Sequence, residues 1–315
     1  SQLRGKDIPN LIYTADVLCL SPELSAQKIE YLIRIGAPPV SSTMQQFLAA
    51  CDCDVLCLSN FVYQGDYINQ HCFNIAHPDN ESLYAINPSL HKGNKQWLES
   101  WLVADTEAKQ AAQAYVDDLP WCELQAAYTV VNAQEYQQFY IANSMSIRHA
   151  NALMMKNGPE VSVFTQRGVN GIDGSVGSFI GSLINHKQPG LLLIGDETMV
   201  HDIAALANPV CQQVRGLICI MNNAGGGIFD FTQSSQLPDF NGALRNAPSV
   251  KFEHLAPAFN LECKVCEDLA VLKDGLRWGL KGPGIKVLDI RVPVTGNGNK
   301  QQVHMLYQKM LTGLV

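Results

Sequence analysis

Apolar residues in this chain gather into short unbroken runs, with polar stretches of helical spacing between them. Gly190-Leu191-Leu192-Leu193-Ile194 and Gly216-Leu217-Ile218-Cys219-Ile220-Met221 contain no polar break. That is the pattern of strands buried on both faces of a parallel sheet. Met199 to Leu206, between them, has helical spacing, so the unit reads as strand, helix, strand. A right-handed crossover makes the two strands neighbours and brings both carboxyl ends to one sheet edge. From about residue 120 the pattern repeats, with strands expected at Gln138 to Ala142, Ser162 to Thr165, Gly190 to Gly195, Leu217 to Met221, Glu262 to Val265 and Ile285 to Val292. The expected class is α/β, a doubly wound parallel sheet preceded by a smaller α/β domain. In that smaller layer strands are expected at Leu11-Ile12-Tyr13, Pro39-Val40, Asp54 to Ser59, Phe73-Asn74-Ile75 and Leu83-Tyr84-Ala85-Ile86. A helix is expected over Ala26 to Ile35, with Ile29, Leu32 and Ile33 on one face. Trp97 to about Leu119 reads as a long polar helix, which sets the domains at 1–117, linker helix included, and 118–315.

The chain has 315 residues, 47% hydrophobic and 16% charged, enough to build real cores and too apolar for a disordered polymer. Its net charge of −7 argues against nucleic acid or an anionic membrane as the main partner. No apolar run reaches membrane-spanning length, and Ser1-Gln2-Leu3-Arg4-Gly5-Lys6 does not open a signal peptide, so a cytoplasmic location is expected. A start without Met fits a processed product or a fragment. Ten cysteines in a chain this long are too sparse for a disulfide scaffold. Cys19 and Cys57 sit inside apolar runs, and Cys263-x-x-Cys266 reads as a short strand before a helix. Structural thiols are expected, with a redox or half-metal site as the alternative for Cys51-x-Cys53 and Cys263-x-x-Cys266.

The chemistry gathers at the strand ends. Gly195-Asp196 closes one buried run; Glu197, twenty-four more residues and then Asn222-Asn223 close the next. Both side chains then point oxygen atoms at the edge where open α/β sheets bind ligands. A carboxylate, an amide oxygen and a nearby backbone carbonyl suit Mg²⁺, a hard cation that often shares its shell with phosphates. The turn Ala224-Gly225-Gly226-Gly227 lets the backbone approach such a phosphate. Asn143 and Ser144 end another strand, where either side chain could cap the helix that follows or face a ligand. Arg148 lies one turn into that helix, and Arg167 precedes a glycine-rich loop running to Gly174. Two arginines at the same edge suit a carboxylate substrate, because guanidinium binds carboxylate bidentately; ordinary surface arginines are the alternative.

The Gly-Asp and Asn-Asn pairs at this spacing resemble the thiamine diphosphate motif. The strings IANSMSIR, QRGVNGIDG, IGDETMVHDIAAL, MNNAGGGIFDF and VKFEHLAPAF, in that order, resemble the C-terminal half of the 2-succinyl-5-enolpyruvyl-6-hydroxy-3-cyclohexene-1-carboxylate synthase family of menaquinone biosynthesis. The resemblance is close over about residues 137–260. It implies the thiamine diphosphate-binding fold, with thiamine diphosphate and Mg²⁺ as cofactors. It implies a transferase that decarboxylates 2-oxoglutarate and adds the four-carbon unit to isochorismate. By the same resemblance Asp196, Asn223 and the Gly225 carbonyl hold the metal, and Gly195 and Glu197 meet the diphosphate through their backbone. Ile172 props the cofactor, Ile228 and Phe229 line its pocket, and Asn143, Ser144, Arg148 and Arg167 receive substrate carboxylates.

Four departures from the family pattern stand out. Glu197 and Thr232 replace apolar residues, Ala204 replaces an Asn, and Gln166 replaces an Asn. None of the residues resembles the separate domain in which these enzymes dock the cofactor's aminopyrimidine and keep the activating glutamate, so no catalytic residue is identified. The expectation is a subunit or fragment of a thiamine enzyme, inactive alone, acting as a homo-oligomer or with a separate pyrimidine-domain subunit. An acetolactate synthase-type enzyme and a non-catalytic binding or assembly module are the alternatives.

Overall fold

The computed structural model describes residues 8–59, 68, 72–76, 93–155, 160–168, 170–245, 247–294 and 298–313. The chain divides into two compact units, one within Ile12–Ala111 joined by the residues from Lys309, the other built on Ala112–Gln308.

The first unit carries a three-stranded parallel sheet, β1 (Tyr31–Ile35), β2 (Asp54–Ser59) and β3 (Cys72–Ala76), in that order. β2 and β3 fall where the apolar pattern placed strands. The helix expected over 26–35 is instead β1, whose backbone pairs with β2 from Tyr31↔Asp54 to Ile35↔Leu58. Pairing with β2 along one side, in a stretch that includes the β-branched Ile33 and Ile35, outweighs its weak helical spacing. Leu11 to Tyr13 is not a strand, because the Thr14 N–H that follows donates to the buried Asp105 carboxylate at 2.7 Å. Pro39-Val40 is a bend whose Pro39 carbonyl accepts from Gln45 Nε2 at 2.7 Å, within the helix α1 (Ser42–Ala50). The strand expected at 83–86 lies outside the described residues. The long helix appears as α2 (Lys95–Asp117).

The second unit is the expected six-stranded parallel sheet. Its strands are β4 (Gln138–Ile141), β5 (Ser162–Thr165), β6 (Gly190–Gly195), β7 (Arg215–Asn222), β8 (Glu262–Cys266) and β9 (Gly284–Arg291). In space they run β5-β4-β6-β7-β9-β8. Helices α3 (Glu123–Val131), α4 (Met145–Leu153), α5 (Ser175–His186), α6 (Asp196–His201), α7 (Leu269–Gly279) and α8 (Gly298–Thr312) punctuate the sequence.

Alternation along each strand sends neighbouring residues to opposite faces. Leu192, Ile194, Ile218, Ile220, Ile285 and Val287 join Phe179, Ile180 and Leu183 of α5 in one cluster. Leu191, Leu193, Leu217, Cys219, Leu288 and Ile290, the alternate positions, are buried as well. Both faces are therefore covered, which is why β6 and the body of β7 carry no polar break, while β9 holds two buried polar residues, Lys286 and Asp289. The packing is close enough to demand glycine: a Cβ on Gly216 would lie 2.7 Å from Leu183, and one on Gly279 would lie 2.4 Å from Leu217.

The helix expected from Met199 to Leu206 is shorter than its spacing suggested. It ends at His201 and continues as a 3₁₀ turn, Ile203–Ala207. Asp202 stands at the break, with its Oδ2 accepting the N–H groups of Val176 (2.6 Å) and Gly177 (3.2 Å) at the start of α5. All ten cysteines are free thiols. Burial pushes the Cys263 thiol up to about 12 and that of Cys266 up to about 11, so neither is a ready thiolate. No described helix is long and apolar enough to cross a membrane.

Gly279→Ala should cost about 1–3 kcal/mol by overpacking against Leu217. Gly181→Ala, exposed in the middle of α5 with nothing in contact, should gain up to about 1 kcal/mol. Urea titration of both variants against the parent checks the contrast; equal midpoints would refute the packing.

Candidate functional site

Asp196 and Asn223 meet because β6 and β7 are adjacent and in register, with Gly195 opposite Met221. Asp196 begins α6 directly after β6 and is buried. Its Oδ1 accepts the Glu197 N–H at 2.9 Å, and its Oδ2 crosses to the Gly225 N–H at 2.8 Å. Burial pushes the Asp196 carboxyl up to about 6, more than these two hydrogen bonds pull it down, and the Glu197 and Glu123 carboxylates add to the rise. A buried acid in this state favours a cation beside it.

The two asparagines after β7 divide their tasks. Asn222 Nδ2 donates to Asp289 Oδ1 on the next strand at 2.8 Å, which anchors the strand end. Asn223 turns the other way and is buried; its Nδ2 donates to Glu123 Oε2 at 2.9 Å. With the amide nitrogen so committed, the Asn223 carbonyl oxygen is the atom left for the cavity. Glu123 Oε1 lies 2.8 Å from His149 Nε2, and both residues are buried. Burial alone would push the Glu123 carboxyl up, but His149, the Asn223 amide and the Arg245 guanidinium together hold it below the usual carboxylate range.

After Asn223 the chain makes a turn of left-handed residues, Ala224 (φ 62°), Gly225 (φ 79°) and Gly226 (φ 47°). Glycine is needed at Gly227 for another reason, since a Cβ there would lie 2.4 Å from Asn223 Nδ2. Asp196, Asn223, Gly195, Glu197, Ser144, Glu123 and His149 line one narrow cavity of about 30 Å³. That is space for an ion or a water.

Of the other expected residues only Ser144 lines this cavity; Asn143, Arg148, Arg167, Ile172, Gly225, Ile228 and Phe229 do not. Asn143 is buried and fully engaged, its Nδ2 donating to the carbonyls of Gln166 (3.1 Å) and Gly171 (2.6 Å) and its Oδ1 accepting from Arg167 at 3.0 Å. It clamps the glycine-rich loop instead of capping α4. Ser144 precedes α4 with φ 64° and makes no side-chain cap either. Arg148 donates to the Ser144 carbonyl at 2.8 Å, and burial with the neighbouring Arg167 charge pulls it below its ordinary value. Two guanidiniums therefore sit close together at this edge. Ile172 is half-buried in the loop before α5, and Ile228 and Phe229 are half-buried in the 3₁₀ turn Gly227–Phe231. The Glu197 side chain is half-buried and makes no hydrogen bond or ion pair with a described residue.

Glu123, His149 and Arg245 were not singled out from the sequence. Glu123 had one signal, an acid in the first turn of an otherwise apolar helix. Arg245, in an irregular polar segment, had none. Among the described residues no group of three His, Cys, Asp or Glu side chains is placed to hold a metal, so a cation here would need amide and carbonyl oxygens.

Known proteins share distant similarity with this chain. The chain is 28% identical over 320 residues to the 2-succinyl-5-enolpyruvyl-6-hydroxy-3-cyclohexene-1-carboxylate synthase of Staphylococcus aureus strain MRSA252, covering 98% of this chain and 54% of the relative. The synthases of S. aureus strains bovine RF122 / ET3-1 and USA300 / TCH1516 match at 28% over 321 residues, with the same shares. The chain is thus a distant homologue of these synthases along its whole length, and it spans about half the length of the curated relatives it matches. No protein-family model matches it.

Glu123→Ala should cost about 3–5 kcal/mol, because it strands the buried Asn223 amide and the His149 ring at once. Glu123→Gln keeps the shape and one acceptor and should cost less. Urea unfolding ranks the two, and a smaller loss for Ala than for Gln would contradict the network.

Proposed function

We propose that this chain is the C-terminal, diphosphate- and metal-binding part of a thiamine diphosphate-dependent synthase. The observation that carries the reading is the meeting of Asp196 and Asn223 in one cavity at the carboxyl ends of adjacent parallel strands. Ligands of open α/β sheets bind at that edge. The donor set fits a hard cation in two of its three members. Asp196 is a buried acid in want of positive charge, and Glu123 turns the Asn223 oxygen toward it. The third donor, the Gly225 carbonyl, accepts a hydrogen bond from Arg245.

In this reading Asp196, Asn223 and the Gly225 carbonyl hold Mg²⁺, with Gly195 and Glu197 beside the diphosphate. Ile172, Ile228 and Phe229 supply apolar contact around the cofactor. Bound thiamine diphosphate supplies the carbon chemistry of decarboxylation and addition; the protein binds, orients and excludes water. Arg148 and Arg167 give the edge a doubled positive charge suited to carboxylates, which supports 2-oxoglutarate and isochorismate as the substrate pair. Asn143 acts by fixing Arg167 and the loop, and Ser144 by presenting its backbone to Arg148. The activating carboxylate for the pyrimidine side comes from a further domain, in the same polypeptide or in a partner.

Calorimetric titration with thiamine diphosphate should give a signal in the presence of Mg²⁺ that Asp196→Ala abolishes; equal heats with and without metal would refute the metal assignment. Glu197→Leu removes an unpaired carboxylate beside the phosphates and should bind the cofactor at least as tightly as the parent. A clear loss in that variant would make Glu197 a ligand.

These 315 residues alone should not consume 2-oxoglutarate in the presence of isochorismate, since loss of a general base alone costs about a hundred- to ten-thousand-fold. Turnover should appear on adding a partner that supplies the pyrimidine-side domain. Robust turnover without it would overturn the division of labour.

A further inference from the structure

Arg245 occupies an unexpected place. The segment before it lies directly on the turn after β7: a Cβ on Gly226 would sit 1.9 Å from the Leu244 carbonyl oxygen, so only glycine admits the approach. The Arg245 side chain, only 8% exposed, reaches back under that turn. One Nη donates to the Gly225 carbonyl, and Nε lies 3.5 Å from Asp230 Oδ1. The same Nη lies 3.3 Å from where a Cβ on Gly227 would stand, against the Asn223 amide. Asp230 is buried, and its Oδ1 accepts no hydrogen bond despite the nearby guanidinium. Three buried acids, Asp196, Glu123 and Asp230, thus surround one turn. The groups that face them are the Arg245 guanidinium, with the His149 ring against Glu123 and Lys300 acting on Asp230 from a distance.

We propose that Arg245 is the resident cation of this turn, and that its guanidinium and a divalent metal ion are alternative occupants at the Gly225 carbonyl. The inference rests on the reading of Asp196, Asn223 and Gly225 as the metal site. A carbonyl oxygen of a turn ringed by three buried acids attracts whichever cation reaches it. A guanidinium and a divalent ion held by the same oxygen repel each other at short range, with little water between to screen them. Metal loading therefore requires Arg245 to withdraw, and the imperfect pairing with Asp230 leaves it free to do so. A chain whose turn is already neutralised by its own arginine stays folded without metal and takes up metal weakly until the 240–245 segment moves.

The test is Mn²⁺ binding, read by loss of the free-ion paramagnetic resonance signal without any cofactor or substrate. Arg245→Met alone leaves Asp230 buried and unpaired, so the informative variant is Arg245→Met combined with Asp230→Asn, which removes both partners. It should bind Mn²⁺ at least ten-fold more tightly than the parent, while Arg245→Lys, which keeps the charge, should stay closer to the parent. Equal or weaker binding by the double variant would overturn the proposal. A second readout uses the unaltered protein: saturating Mg²⁺ should speed trypsin cleavage after Arg245 several-fold, located by mass spectrometry, and an unchanged rate would also overturn it. Asp196→Ala separates the two ideas. If Mn²⁺ binding is indifferent to that change, or none of the proteins binds Mn²⁺, the metal site itself is refuted; if Asp196→Ala abolishes binding while the Arg245 variants behave like the parent, only the competition is.

Discussion

Asp196 joins two strand ends with one carboxylate, one oxygen on the amide of its own helix and the other on the Gly225 amide of the turn beyond β7. The parallel register of β6 and β7 sets the distance that this bridge spans. The bridge in turn holds the left-handed turn against the sheet edge, and everything chemical in the second unit is arranged around it. A shift of that register by one residue would move the Gly225 amide by about 3.3 Å and out of reach of the Asp196 carboxylate.

Holding an acid there has an electrostatic cost, and the surroundings show how it is met. The Asp196 carboxyl is pushed up to about 6 even with two amides bound to it. The nearby Glu123 stays on the acidic side only because His149 and the Asn223 amide both attend it. That pairing also chooses which end of the Asn223 amide faces the cavity. A buried carboxylate 100 residues away in sequence thereby determines the donor atom offered to a ligand, with the first asparagine of the pair left to anchor the strand through Asp289. Positive charge from Arg245 reaches the same turn at the Gly225 carbonyl.

The distant homology to the staphylococcal synthases covers almost the whole of this chain and about half of theirs. The conjunction of strand-end acid, strand-end amide and glycine turn is the feature of this chain that carries the proposed cofactor site. Glu197 and Arg245 pull the other way. One places an unpaired negative charge beside the proposed phosphates, and the other places a positive charge on a proposed metal ligand.

The central strands of the second unit were legible in the sequence because burial on both faces leaves little place for polar residues, and a run such as Leu191-Leu192-Leu193-Ile194 has no other use in a chain of this composition. The meeting of Asp196 with Asn223 followed from the same runs, through the handedness of the crossover. The first unit was harder to read. Tyr31 to Ile35 has a helical spacing that its pairing with β2 overrides, and Leu11 to Tyr13 lost its strand to a hydrogen bond from Thr14 to Asp105, ninety-one residues away. Asn143, Glu123, His149 and Arg245 show the same limit at the site. Their partners lie 20 to 100 residues off in sequence, and a hydrogen bond depends on two atoms arriving at one point with the right direction. Hydrophobic periodicity is a property of a single segment and survives in the sequence; the orientation of a buried polar side chain belongs to the assembled tertiary structure, because only packing brings its partner within reach.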